Sequence, residues 1–274
     1  MTIRIGQIEY ANCTPIFTAL REINDCADYH FVNGVPARLN EMMNRGEIDV
    51  CPASSIEYGK SPEKYLLLPD ISISSDGPVK SVLLFSRVPL ADLHNQTIAL
   101  TMESDTSVNL LKIILGKQYG FTNLFERSSL PLQEALNNYS ALLLIGDAAL
   151  RESGHVGGLF VYDLGELWFA FTGLPFVFAL WLVTCEAAVQ KRAEVQALVV
   201  RLLMAKRRAY DNYGRIADQS SEREWLGRDA LVDYWRTISY DLTPRHLEGV
   251  ATFFRYAKEL QILRVEPEIR IFEG

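Results

Sequence analysis

The amino-acid sequence predicts an α/β protein made of two lobes with a ligand cleft between them. Short β-rich runs are followed repeatedly by small polar residues and then by a helical pattern, an alternation typical of α/β proteins with mostly parallel sheets. Two strand-like runs, residues 81–86 and 176–183, enclose a self-contained β/α block, which indicates an inserted lobe. We therefore expect a first lobe of residues 1–86 with 176–274, including the C-terminal helices, and a second lobe of residues 87–175.

Strand and helix units account for the N-terminal two thirds of the chain. The strands are expected at Ile3–Ile8, 49–51, Thr97–Leu100 and Ala141–Ile145, and the helices that follow them at 16–21, from 56, at 108–119 and from 148. Pro36 opens a further amphipathic helix that ends before Gly46, because proline suits the first helical turn and glycine ends helices. After residue 185 the pattern changes to long helices over residues 186–213, 222–239 and 243–263.

The most apolar stretch, residues 169–184, predicts a buried strand and not a membrane span. A span needs about 20 consecutive apolar residues, and Gly173 and Pro175 interrupt this shorter stretch. The first ten residues alternate polar and apolar types and lack the continuous apolar run of an export signal. We expect no membrane partner and a cytoplasmic location.

Composition and charge exclude several classes of protein. A chain of 274 residues that is 49% hydrophobic and 22% charged is typical of a globular protein. Its net charge of −7 argues against a nucleic-acid partner, because binding to a phosphate backbone needs a basic surface. The cysteines, at positions 13, 26, 51 and 185, contain no C-x-x-C pair and indicate neither a disulfide framework nor a zinc site.

Polar residues cluster where the predicted strands meet the predicted helices. Asn12, Ser54 and Ser55 lie in turns of the first lobe, and Thr106 and Ser107 lie in a turn of the second. Ligands of open α/β sheets bind at the carboxyl ends of strands, where helix N-termini offer N–H groups to an anion. These turns predict a cleft for a small ligand with two carboxylates. The alternative, that these residues only cap helices, stays open on this pattern.

Other catalytic patterns are missing from the sequence. Ser54 and Ser55 lack the G-x-S-x-G context of a nucleophile, and the sequence has no H-E-x-x-H, dinucleotide-binding or Walker motif. The histidines, His30, His94, His155 and His246, lie in polar or loop-like surroundings, so we expect them at the surface. From these residues the chain is a two-lobed protein that binds a small acid, and both an enzyme and a binding protein remain open.

Several stretches of the sequence resemble the chorismate dehydratases of the futalosine route to menaquinone. The matching stretches are residues 10–15 (YANCTP), 49–58 (DVCPASSIEY), 65–78 (YLLLPDISISSDGP), 81–86 (SVLLFS), 101–107, 144–147 (LIGD), 162–165 and 173–181. They run from the N-terminus to about residue 185, and their combination is specific. The rest of the chain, which is expected to be helical, is compatible with the family but contains few residues that are specific to it.

The resemblance implies a periplasmic-binding-protein type 2 fold and a hydro-lyase reaction. The family converts chorismate to 3-[(1-carboxyvinyl)oxy]benzoate and water, and it needs no metal or organic cofactor. The site residues that the resemblance implies are Asn12 as the catalytic residue and Ser54, Ser55, Ser81, Thr106, Ser107 and Asp147 as substrate-binding residues. The implied partner is one small dicarboxylate substrate, chorismate.

Two alternatives and one mechanistic question remain at this point. The sister family, 1,4-dihydroxy-6-naphthoate synthase, shares the fold but carries His followed by Glu where this sequence has Gly146 and Asp147. A protein that only binds a small dicarboxylate is the other alternative. For a dehydratase, the acceptor of the substrate proton is either the substrate's own enolpyruvyl carboxylate or Asp147.

Overall fold

Two β-sheets of similar topology form the framework of the protein. A computed structural model describes residues 2–23, 26–154 and 157–274. The first sheet has the order β2-β1-β3-β10-β4, and the second has the order β7-β6-β8-β5-β9. The strands are β1 (Ile3–Ile8), β2 (Tyr29–Gly34), β3 (Val50–Ser54), β4 (Tyr65–Ser75), β5 (Val82–Ser86), β6 (Thr97–Leu100), β7 (Leu124–Arg127), β8 (Ala141–Ile145), β9 (Phe160–Asp163) and β10 (Phe176–Thr184).

Helices connect the strands and form the C-terminal third of the chain. They are α1 (Thr14–Ile23), α2 (Pro36–Asn44), α3 (Ser55–Lys60), α4 (Asp105–Ile113), α5 (Leu132–Asn138), α6 (Gly146–Ser153), α7 (Leu164–Thr172), α8 (Cys185–Gln190), α9 (Arg192–Asp211), α10 (Tyr213–Gln219), α11 (Arg223–Leu226), α12 (Arg228–Trp235) and α13 (Pro244–Glu259). Helix α4 continues into a π-helical turn, Ile114–Gln118, and short 3₁₀ turns occupy Pro62–Lys64 and Leu90–Leu93. Within the described part of the chain, no helix is both long and apolar enough to span a membrane.

The sheets are mixed, and the expectation of mostly parallel sheets is wrong. Strand β1 pairs in parallel with β2 and β3, while β10 runs antiparallel to both β3 and β4. The second sheet repeats this pattern, because β6 is parallel to β7 and β8 while β5 is antiparallel to β8 and β9. The strands β4, β5 and β10 adjoin the segments that join the two sheets.

The limits of the lobes differ from the expected ones at β5. This strand is expected in the first lobe, residues 1–86 with 176–274, but it pairs with β8 and β9 of the second sheet. Strand β4 is the outgoing edge strand of the first sheet, and β10 returns the chain to it, as expected for residues 176–183. We therefore propose that the second lobe extends from about residue 77 to residue 175.

Two of the long helices expected after residue 185 are broken. The segment 186–213 divides between α8 and α9, and the segment 222–239 divides between α11 and α12. Gly227 separates α11 from α12 with φ of +84°, a conformation that glycine adopts without steric cost. The break turns α12 so that Tyr234 and Trp235 are buried against the rest of the protein.

Candidate active site between the sheets

A cavity lies between the two sheets, where the predicted polar turns meet. Its polar lining consists of Tyr10, Asn12, Ser54, Ser81, Ser104 and Ser107, and its apolar lining includes Ile8, Ile73, Val79, Val82, Ile145 and Phe178. None of the described residues that line the cavity carries a charged side chain. The lining combines apolar walls with a few polar groups, as small-molecule sites do.

Strand direction brings these turns together. Strands β1, β3, β6 and β8 end at the cavity, and helices α1, α3, α4 and α6 begin beside it. Ser81 also lies at this edge, because β5 runs antiparallel to β8 and its first residue, Val82, pairs with Ile145, the last residue of β8. Helix N-termini carry a partial positive charge, so an anion is stabilised here without lysine or arginine.

Asn12 lies in a turn that is fixed from several directions. Tyr240 Oη donates to the main-chain oxygen of Asn12 at 2.7 Å, and Trp235 Nε1 donates to the main-chain oxygen of Ala11 at 2.7 Å. The main-chain N–H of Ala11 donates to Asp147 Oδ1 at 3.0 Å. The Oδ1 atom of Asn12 is itself buried and has no hydrogen-bond partner within the described residues. A buried polar atom without a partner is costly, and a ligand in the cavity would supply one.

Ser54, Ser104 and Ser107 bring hydroxyl groups to the cavity from two neighbouring turns. Ser54 ends β3 and is 5% exposed, while Ser104 is the N-cap of α4. The main-chain N–H of Ser107 donates to Ser104 Oγ at 3.2 Å, which caps the helix, and Ser104 Oγ lies 3.3 Å from Ser107 Oγ. Ser104 was missed by the sequence reasoning, although its position directly before a helix was a usable signal.

Ser55 and Thr106 are close to the cavity but are not among its lining residues. Ser55 Oγ donates to the main-chain oxygen of Val177 on β10 at 2.6 Å. Thr106 Oγ1 accepts from the main-chain N–H of Ile56 at 3.0 Å, which joins the α3 turn of the first lobe to the α4 turn of the second. Both side chains therefore hold the turns that carry Ser54 and Ser107.

Ser81 lines the cavity from the position directly before β5. It is 2% exposed, and its Oγ accepts a hydrogen bond from Tyr234 Oη at 2.9 Å. Its main-chain oxygen accepts from the N–H of Gly146 at 2.8 Å. Gly146 has φ of +57°, and a Cβ there would lie 3.0 Å from the Tyr10 ring, so the residue must be glycine for Tyr10 to pack this closely.

Asp147 is half-buried behind the Asn12 turn and is not among the lining residues. Burial raises the pKa of its carboxyl group above the ordinary value, although the hydrogen bond from Ala11 N–H acts in the opposite direction. The geometry thus gives this carboxylate a defined structural partner, the turn that carries Asn12.

Two further polar contacts join the lobes, one of them made by the cavity residue Tyr10. Tyr10 Oη donates to Glu103 Oε2 at 2.6 Å, and Lys60 Nζ lies 2.6 Å from Asp105 Oδ2. Burial and the hydrogen bond to Glu103 raise the pKa of Tyr10, so its hydroxyl stays a donor at neutral pH. Sequence reasoning missed Tyr10 and Glu103, which flank the predicted turns but interact only across the two lobes.

The histidines lie away from the cavity lining within the described residues. His30 and His94 are exposed as expected. The expectation is wrong for His246, which is 9% exposed because it is the N3 residue of a capping box with Thr243 at the start of α13. His155 lies outside the described residues. Across the described ranges, no three His, Cys, Asp or Glu residues group in a way that would hold a metal ion.

Comparison with known sequences identifies similar proteins along nearly the whole chain. A sequence profile of a family described as menaquinone biosynthesis matches residues 3–259. A chorismate dehydratase of Thermus thermophilus is 34% identical over 264 residues, which cover 91% of this chain and 93% of that protein. A chorismate dehydratase of Campylobacter jejuni is 29% identical over 192 residues, which cover 69% of this chain and 68% of that protein.

Comparison with solved structures gives the fold. A protein of Archaeoglobus fulgidus superimposes with a TM-score of 0.77 at 17% identity, covering 96% of this chain and 98% of that one. A Candida albicans protein described as having the generic periplasmic binding protein fold gives a TM-score of 0.70 at 11% identity, covering 100% and 98%. At such identities the likeness shows the fold alone, and the predicted periplasmic-binding-protein fold is confirmed.

Proposed function

Since the chain belongs to the menaquinone-biosynthesis family, we infer that it is a chorismate dehydratase, a hydro-lyase that converts chorismate to 3-[(1-carboxyvinyl)oxy]benzoate and water. The observation that carries this conclusion is the 34% identity to a chorismate dehydratase over 91% of the chain. The cavity adds independent support, because neutral hydroxyl groups and helix N-termini suit a small dianion. Neither the sister synthase nor a binding protein is favoured by the comparisons.

The reaction forms an aromatic ring from a cyclohexadiene. The C–H bond breaks at the ring carbon that bears the ether, and the C–O bond breaks at the neighbouring carbon that bears the hydroxyl group. We propose a stepwise course, in which the proton leaves first because the negative charge spreads toward the ring carboxylate. The hydroxyl then departs and, with one proton, forms water. Hydrogen-bond donors around the ring carboxylate stabilise the charge that develops there.

The hydroxyl groups of the cavity are proposed to hold the two carboxylates of the substrate. Ser54, Ser104 and Ser107 come from turns that the Thr106 to Ile56 hydrogen bond joins, so together they form one group of donors. Ser81 supplies a further donor. Holding the substrate at both ends in one conformer lowers the entropic part of the barrier.

Asn12 is proposed as the catalytic residue that contacts the reacting part of the substrate. Its buried, unpartnered Oδ1 atom supports this role, because the amide can hydrogen-bond the substrate hydroxyl and orient it for departure. An amide is no base, so Asn12 does not take the proton. We propose that the enolpyruvyl carboxylate of the substrate takes it, and that Asp147 is a positioning residue for the Asn12 turn.

Replacing Asp147 with asparagine is expected to leave kcat near the wild-type value. The Oδ1 atom of asparagine still accepts from Ala11 N–H, so the turn keeps its anchor. The matched variant Asp147→Ala removes the acceptor, and its kcat/KM should fall about tenfold, as for one buried hydrogen bond. Steady-state kinetics of both variants distinguish a positioning role of Asp147 from a role as the general base. A fall of about 10²–10⁴ in kcat for Asp147→Asn, the range for loss of a general base, would assign the proton transfer to Asp147.

Turnover of chorismate tests the proposed function directly. The purified protein, treated with a chelator, is incubated with chorismate, and products are separated by chromatography with mass detection. We expect a product lighter than chorismate by one water, with a benzenoid absorbance. Unchanged chorismate after incubation with protein that shows a cooperative unfolding transition would contradict the proposal.

We also propose a cytoplasmic location for the protein. The thiols of Cys13 and Cys51 support it, because both are buried in the core as thiols, which is ordinary in a reducing compartment.

A further inference from the structure

Tyr234 contacts the cavity lining from behind, although it belongs to the helical C-terminal region. It is 2% exposed, lies on α12 and is not itself among the residues that line the cavity. Its hydroxyl group donates to Ser81 Oγ at 2.9 Å, across 153 positions of sequence. Burial raises the pKa of Tyr234 well above the ordinary value. The phenol therefore stays protonated and remains a donor at neutral pH.

The bond from Tyr234 determines what Ser81 can offer to a ligand. A serine hydroxyl has one hydrogen to donate and lone pairs to accept. Tyr234 occupies an acceptor site of Ser81, which leaves the serine hydrogen to point elsewhere. Among the described residues, the acceptor for this serine hydrogen is the main-chain oxygen of Val79, 3.5 Å from Ser81 Oγ. Good O–H···O bonds measure about 2.5–3.0 Å, so this contact is weak and a ligand carboxylate would displace it.

We propose that Tyr234 is a positioning residue for the dehydration: by donating to Ser81 Oγ, it makes Ser81 a hydrogen-bond donor to a carboxylate of chorismate. The inference rests on the proposed function and adds a residue to it. Hydrogen bonds arranged in a chain polarise one another, so the bond from Tyr234 also strengthens the donor that Ser81 presents.

The neighbours of Tyr234 support the same role for this part of the chain. Trp235 donates to the main-chain oxygen of Ala11, and Tyr240 donates to that of Asn12, each at 2.7 Å. One short segment, residues 234–240, therefore contacts both Ser81 and the turn that carries Asn12. The segment sets the orientation of polar groups in the cavity without lining it.

The test compares Tyr234→Phe with a matched control in the same region. Tyr213 is also a buried tyrosine, but its hydroxyl has no hydrogen-bond partner within the described residues, so Tyr213→Phe removes a hydroxyl that positions nothing. For Tyr234→Phe we expect KM for chorismate to rise up to about tenfold with kcat nearly unchanged, because Ser81 loses the bond that orients its hydroxyl toward the carboxylate. Tyr213→Phe should leave both constants at the wild-type values.

A double-mutant cycle with Ser81→Ala separates positioning from a general structural effect. If Tyr234 acts through Ser81, Tyr234→Phe costs nothing further in kcat/KM once Ser81 is alanine. The inference is overturned if the losses in kcat/KM multiply in the double variant, or if Tyr234→Phe has the same KM and kcat as Tyr213→Phe. In either case, turnover of chorismate by the wild-type protein would still support the proposed function. A wild-type protein that neither binds nor converts chorismate refutes the proposed function, and the role of Tyr234 with it.

Discussion

Asn12→Ala is expected to lower kcat for chorismate by about 10²–10³, the range for loss of one hydrogen-bonding group that acts on the transition state. The amide would no longer hold the departing hydroxyl group, whereas the turn itself should keep its shape. The main-chain oxygen of residue 12 still accepts from Tyr240, and Ala11 remains bound to both Trp235 and Asp147. Steady-state kinetics, with thermal unfolding as the check on folding, measure the effect.

Asn40→Ala is the matched control for this prediction. Asn40 lies on α2, is 9% exposed and also has a buried Oδ1 atom without a hydrogen-bond partner in the described part of the chain, but it does not line the cavity. Its replacement should leave kcat near the wild-type value. Near-normal turnover in Asn12→Ala, or an equal loss in both variants, would show that the Asn12 amide has no special part in the reaction.

Gly249→Ala should lower the free energy of unfolding by about 3 kcal/mol, the upper part of the range for overpacking a core. Gly249 lies on α13, and a Cβ there would lie 2.3 Å from the main-chain oxygen of Pro175, just before β10. A main-chain atom cannot move aside as a flexible side chain can, so helix and strand must separate. Because β10 carries Phe178 to the cavity wall, KM for chorismate should rise as well.

Gly116→Ala provides the control for packing at a glycine. Gly116 lies in the π-helical turn after α4, and a Cβ there would lie 3.5 Å from Leu260, an ordinary contact distance. Alanine should be neutral there or raise the free energy of unfolding by up to about 1 kcal/mol, because it favours helix over glycine. Urea unfolding of both variants gives the comparison. Equal stability of the two variants would mean that the α13 to β10 contact relaxes at little cost.

Several strands of both sheets, and the polar turns, were predictable because their signals are local. Strand β1 lies where the alternating residues indicated, and Thr97–Leu100 and Ala141–Ile145 are strands with the expected limits. Asn12, Ser54 and Ser107 were found from turn chemistry, since a polar residue between a strand and a helix is recognisable without its partners. The family resemblance added Ser81, which no strand-to-helix turn marks.

The parts that the sequence reasoning missed depend on contacts between distant residues. Tyr234 and Tyr240 lie more than 150 positions from their partners Ser81 and Asn12, and nothing in their own segment distinguishes them from core tyrosines. The two breaks in the C-terminal helices were also missed. Gly227 was the one local signal, and its positive φ became visible only in the structure.

The sequence therefore defines which short segments are strands and helices and which polar residues end them, because those properties follow from neighbours within a few positions. It does not define the direction of β5 or of β10, nor the contact between Thr106 and Ile56 that brings the turns of the two lobes together. Those features are set by long-range pairing and by packing of the two sheets. That packing makes Asn12, Ser81 and Ser107 walls of one cavity and gives Ser55, Thr106 and Asp147 main-chain partners behind it.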